Sequence, residues 1–149
     1  MNNNEVVSFE RIRDAFYVYC DIIERYGKGK EGSPIGSFYI GCVILGSLAC
    51  EIGLKALLAL EDKPLHGHCL NNLFNNLNPQ MQESIIQYTS YELESFNNAL
   101  LENKDHFVKW RYYYESNQLA ANYDFIFKLF YSIKTHLDTI NPEYQTPDH

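Results

Sequence analysis

Three groups of residues in this 149-residue chain have types and spacing that could support chemistry. The first is Ser47, Glu51 and Lys55, four apart and therefore on one face of a helix. A carboxylate and an ammonium at i,i+4 pair along the helix for a few tenths of a kcal/mol. These charges lie in the most apolar stretch of the chain, where an unpaired carboxylate is costly, so Glu51 is expected to have a further partner elsewhere. The second group is His66-Gly67-His68-Cys69, two imidazoles and a thiol in a turn. That set could begin a zinc site, yet no second cluster completes a tetrahedral shell, and neither metal nor cofactor is expected. A histidine such as His68, just ahead of an apolar helical stripe, more often caps a helix or bonds a carboxylate. The third group is His106-Phe107-Val108-Lys109-Trp110-Arg111-Tyr112-Tyr113-Tyr114-Glu115. Arg111 can pair with Glu115 or offer its planar fork to carboxylate, phosphate or an aromatic face, and the tyrosines could stack on bases. A core aromatic stripe with snorkelling charges explains the same residues without a ligand. The candidate polar or binding residues are thus Glu51, Lys55, His68, Arg111, Tyr114 and Glu115, and Glu51, His68 and Arg111 are expected to converge on one cluster.

The elements that must position them read as helices throughout. Apolar residues recur at helical spacing from Ser8, a candidate N-cap, to Tyr26. A glycine-rich connector, Gly27 to Gly36, follows without a phosphate-loop pattern. A second helix from Ser37 to Leu60 is apolar around most of its circumference, as the central element of a bundle should be. Pro64 and Gly67 mark a turn, Leu70, Leu73, Phe74 and Leu77 a short amphipathic helix, and Asn78-Pro79 the start of another with Met81, Ile85 and Tyr88 on its stripe. Further helix is expected from about Leu93 to Glu115, and a last one, capped by Asn122 or Asp124, from there through Leu137, before Asn141-Pro142 opens a polar tail over residues 141–149. No segment alternates with period two, so the fold class is all-α.

Composition agrees with one globular domain over residues 1–149: 46% hydrophobic, 21% charged. The net charge of −7 and pI near 5.1 supply no global field towards nucleic acid, so any such contact needs a local patch. Four cysteines without CxxC spacing, behind a polar start, suit a reducing cytoplasm. The apolar run from Phe38 to Cys50 is interrupted by Glu51 and Lys55 and reads as a buried helix rather than a membrane span. High aromatic content, and a last helix with Phe125, Phe127, Phe130, Tyr131 and Ile133 on more than one face, point to a homodimer.

Taken in order, Leu48-Ala49-Cys50-Glu51-Ile52-Gly53-Leu54-Lys55-Ala56-Leu57-Leu58, His66-Gly67-His68-Cys69-Leu70-Asn71-Asn72-Leu73-Phe74, Phe96 with Leu100, and Phe107 to Glu115 resemble bacterial HEPN-domain proteins over about residues 38–138. The resemblance implies a bundle of four to five helices, usually homodimeric, at work in toxin–antitoxin pairs, phage defence, RNA processing or nucleotidyltransferase partnerships. HEPN ribonucleases carry an arginine followed, after four to six residues, by a histidine. Here the positions five to seven beyond Arg111 are Ser116, Asn117 and Gln118, and no histidine takes that place after Arg11, Arg13 or Arg25 either. His106, five residues ahead of Arg111, would sit ~140° away around a helix. The expectation is a non-catalytic HEPN-like interaction module binding a partner protein, nucleotide or RNA. A metal-independent ribonuclease built from Arg111, His68 and Glu51 or Lys55, and a purely structural subunit, are the alternatives.

Overall fold

The computed structural model describes residues 7–26, 35–110 and 121–140, with the side chains of 26 and 35–40 left aside. Among these the chain is helical without a strand, an all-α bundle of α1 (Phe9–Tyr26), α2 (Ile35–Leu60), α3 (Leu70–Asn75), α4 (Pro79–Thr89), α5 (Leu93–Glu102), α6 (His106–Trp110) and α7 (Tyr123–Ile140).

Helix α2 is the axis of the bundle, contacting α1, α3, α6 and α7, while α4 packs on α7 and α5 on α3. Its segment Gly41–Leu60 is long and apolar enough to cross a bilayer by composition, yet most of it is buried inside the bundle. Helix α1 buries Ile12, Phe16, Cys20 and Ile23, one residue per turn, and opens with the Arg11 N–H donating to Ser8 Oγ at 3.4 Å. Two glycines of α2 let its neighbours close in. A Cβ at Gly46 would stand 2.9 Å from Ile126 Cγ2, and one at Gly53 would stand 2.5 Å from Ile133 Cγ2 and 2.9 Å from the Phe16 ring. Both of Gly53's neighbours are fully buried and have nowhere to retreat. Gly53→Ala is therefore expected to destabilise the protein by about 1–2 kcal/mol, overpacking outweighing the better helix propensity of alanine. A thermal melt would show a drop of a few degrees; an unchanged or higher midpoint would mean that the α1–α2–α7 junction yields.

The second half of the core is aromatic. Phe74 of α3, Phe96 of α5 and Phe125 of α7 form a chain with ring centroids 5.0 and 5.4 Å apart, which Tyr91 extends at 5.5 Å from Phe125. Helix α4 begins with Asn78 as cap, its Oδ1 accepting from the Met81 N–H at 2.8 Å, and with Pro79 as its first residue. Glu61 at the end of α2 accepts from the Asn78 backbone N–H and side-chain amide, fixing where α4 starts.

Within the described part of the helical stretch expected from about Leu93 to Glu115 there are two helices: α5 stops at Glu102 and α6 restarts at His106. The cause is Asn103, 1% exposed. Its Nδ2 donates to the Ala99 carbonyl at 2.7 Å, which leaves Oδ1 to accept from the Asn122 backbone N–H at 2.9 Å and from His106 Nε2 at 2.7 Å. One buried amide thus ends α5, orients α6 and anchors the start of α7. The apolar excess expected on α7 is mostly absorbed within the bundle: Phe125, Phe130 and Ile133 are fully buried, Phe127 is half-buried, and Tyr131 is exposed. This follows from the position of α7, which meets α2, α4 and, through Phe16–Phe130, α1.

Candidate functional site

The polar cluster of α2 is built from one buried carboxylate. Glu51 is 4% exposed, and its Oε1 accepts from Lys55 Nζ at 2.9 Å, one turn along the same helix, and from His68 Nδ1 at 2.8 Å. His68 comes from the connector between α2 and α3. Gly67, at φ +89°, makes a turn that side chains rarely adopt, and the Leu70 N–H bonds the Lys104 carbonyl at 2.8 Å, so the connector is anchored just beyond the imidazole. Because a carboxylate only accepts, His68 carries its proton on Nδ1 and turns the rest of its ring outward; the side chain is 62% exposed. Lys55 is mostly covered at 18%. The arrangement gathers an anion and a cation around a histidine whose far nitrogen faces solvent. Ser47 Oγ and Glu51 Oε2, both buried, have no hydrogen-bond partner among the described residues.

The remaining sequence candidates are placed differently. Arg111, Tyr114 and Glu115 lie outside the described residues, as does the meeting of Arg111 with Glu51 and His68. His66 does not join His68. It lines a groove of about 540 Å³ with Val7, Phe9, Pro64 and Leu65, between the start of α1 and the α2–α3 connector. Cys69 is half-buried while Cys20, Cys42 and Cys50 are buried, all four free, and burial raises the Cys20, Cys42 and Cys50 thiols above their ordinary range. Among the described residues no three His, Cys, Asp or Glu side chains converge as a metal site would require.

His106 is a buried histidine rather than a surface one. Its Nε2–H is committed to Asn103 Oδ1, and Nδ1 is buried without a partner among the described residues. Burial pushes its pKa down, because the charged imidazolium would lose its hydration there.

Sequence reasoning missed two groupings. Between α4 and α7, Ser84 Oγ lies 2.7 Å from His136 Nε2, while His136 Nδ1 lies 2.6 Å from the Ser132 carbonyl. The carbonyl fixes the proton on Nδ1, so Ser84 donates to Nε2. Between α1 and α7, Tyr17 donates to Asp138, whose other oxygen accepts from Lys134 at 2.9 Å, with Glu24 3.8 Å from the same ammonium. Burial works to lower the Lys134 pKa, yet Asp138 and Glu24 together outweigh it and hold the ammonium above its usual value. Burial, then Asp138, raises the Tyr17 hydroxyl. Only the i,i+4 spacing of Lys134 and Asp138 was a signal within the sequence; the other partners lie 52 to 121 residues apart.

The chain matches no protein-family model, no curated protein and no solved structure.

Proposed function

We propose that this protein is a non-catalytic HEPN-like interaction module that acts as a homodimer and binds a partner protein, with RNA or a nucleotide as the alternative ligand, in a defence or toxin–antitoxin setting. The observation that carries the reading is the commitment of Glu51. Its Oε1 holds both Lys55 and His68, so the cation of the cluster is neutralised and is not free to steady a phosphate beside the exposed imidazole. A base for attack by a 2′-oxygen needs a nitrogen or carboxylate free to take a proton, beside a cation free to meet the developing phosphorane charge. In this cluster the carboxylate pins the imidazole orientation and neutralises the ammonium, which suits a fixed recognition surface better than a reaction centre. The homodimer and the setting follow from the sequence resemblance and the aromatic content.

Two measurements test the proposal. Co-purification from a native-host lysate, followed by mass spectrometry of protein and sequencing of RNA, is expected to return a stoichiometric partner. Incubation of metal-free protein with structured and single-stranded RNAs is expected to leave them intact. Cleavage by the wild type that is lost in both His68→Ala and Lys55→Met would replace the proposal with an atypical ribonuclease; cleavage that survives both would trace to a contaminant and leave it standing.

A further inference from the structure

Between α4 and α7 the fold sets a hydroxyl, an imidazole and a carbonyl in a row, apart from the Glu51 cluster. Ser84 Oγ donates to His136 Nε2 at 2.7 Å, and His136 Nδ1 donates to the Ser132 carbonyl at 2.6 Å, one turn back along α7. Because that carbonyl only accepts, the imidazole proton stays on Nδ1 and the Nε2 lone pair is aimed at the serine. Nucleophile, base and orienting group stand here in the sequence that activates a hydroxyl, with both links inside hydrogen-bond reach. Ser84 and His136 are each half-buried, so a small reagent can reach the pair. Tyr88, one turn beyond Ser84 and 60% exposed, stands edge-on to the imidazole with ring centroids 5.8 Å apart and gives the pair an apolar border. Other serines lack this arrangement. Ser132 is buried and spends its hydroxyl on the Ile85 carbonyl at 2.9 Å, while Ser90 and Ser95 are exposed and bond no imidazole among the described residues.

We infer that Ser84 is an acyl-acceptor site, modified by activated carboxylic esters (thioesters or aryl esters) with His136 as its base. In the transfer, Ser84 Oγ bonds to the acyl carbon while its proton passes to His136 Nε2. The bond from that carbon to the thiolate or aryloxide then breaks, and the leaving group takes the proton from Nε2. Ser84 ends as an ester and His136 as the neutral imidazole it was, so the step balances without metal, oxidant or reductant. The helix also sets the limit of the site. Ser84 is the sixth residue of α4, beyond the first turn whose N–H groups are free, so no backbone donor of that helix is left to meet the developing oxyanion. Only donors with a good leaving group will react, and the product is a modified serine rather than a rapid hydrolytic cycle. The site therefore adds a covalent mark to an interaction module and does not depend on the Glu51 cluster.

Incubation of the full chain with 4-nitrophenyl acetate, followed over time by peptide mass spectrometry, tests this. Ser84 is expected to gain an acetyl group about 100-fold faster than Ser90 or Ser95 in the same molecule, the margin a positioned base supplies. His136→Gln keeps an acceptor for the hydroxyl but no base, and it is expected to bring Ser84 down by about 100-fold to the rate of the exposed serines while circular dichroism shows unchanged helix content. Ser84→Ala is expected to remove the fast phase of 4-nitrophenolate release. The comparison of serines within the wild type needs no variant, so it decides the matter even where His136→Gln fails to fold. Acetylation of Ser84 no faster than that of Ser90 and Ser95 would overturn the site. A fast reaction that persists in folded His136→Gln would overturn the role of the imidazole, and an acetyl group resting on His136 with Ser84 free would overturn the serine as acceptor.

Discussion

Replacing Asn103 by leucine is expected to lower the stability of the fold by about 2–3 kcal/mol, although the substitution keeps a side chain of similar size in the same place. Three hydrogen bonds converge on this side chain, to the Ala99 carbonyl, the Asn122 N–H and His106 Nε2. Leucine satisfies none of them. The Ala99 carbonyl retains the Asn103 backbone N–H at 3.0 Å and suffers least. The imidazole N–H of His106 is buried and loses its acceptor outright, at about 1–3 kcal/mol, whereas Asn122 is exposed and water can replace the bond to its N–H. Asn122→Ala separates the terms. It deletes the cap that Asn122 Oδ1 offers to the Phe125 N–H at 3.1 Å and keeps the backbone bond to Asn103, so its cost should be about 1 kcal/mol. Urea unfolding of both variants measures the difference. A loss below about 1 kcal/mol in Asn103→Leu would mean that α6 and α7 hold their places through packing, with the amide incidental.

This hub also marks where the sequence stops being informative. Helices α1, α2, α4 and α7 are legible because each repeats apolar residues at helical spacing and begins or ends on residues with a local mechanism, such as Ser8, Asn78-Pro79 and Asn122. Between Leu93 and Trp110 the same spacing continues on both sides of the break, in Phe96, Leu100 and Trp110, and nothing local forbids one long helix. The break is decided by Asn122, 19 residues away, which offers its N–H to the Asn103 side chain and makes the turn worth forming. The candidate site divides in the same way. The Lys55–Glu51 contact is one turn of a single helix and follows from spacing. The Glu51–His68 contact spans 17 residues, and the sequence signals it only as a cost, that of a carboxylate among apolar neighbours. The Ser84–His136 and Tyr17–Asp138 contacts have no such signal, since each residue alone is unremarkable on a half-exposed face.

The Glu51 cluster makes the second large prediction. Lys55→Met or His68→Ala alone removes one of two donors from Oε1 and leaves the other, so each should cost about 1 kcal/mol or less, the smaller loss at His68, whose ring is largely in solvent. Removing both leaves a carboxylate that is 4% exposed with no described donor on either oxygen, since Oε2 is already without a partner. The double variant is expected to lose about 3–5 kcal/mol, more than the sum of the singles, because the second removal converts a paired buried charge into an unpaired one. The sign of the coupling carries the argument. Additive singles would mean that water reaches Glu51 and that neither partner is structurally required. A third substitution, Glu51→Leu, removes the stranded charge, so the triple variant should recover most of the lost stability. That recovery separates scaffold from recognition. If stability returns in the triple variant while binding of the co-purified partner stays lost, His68 and Lys55 meet the partner directly. If binding returns together with stability, the cluster acts by holding the α2–α3 connector in place, and the contact surface lies elsewhere on the bundle.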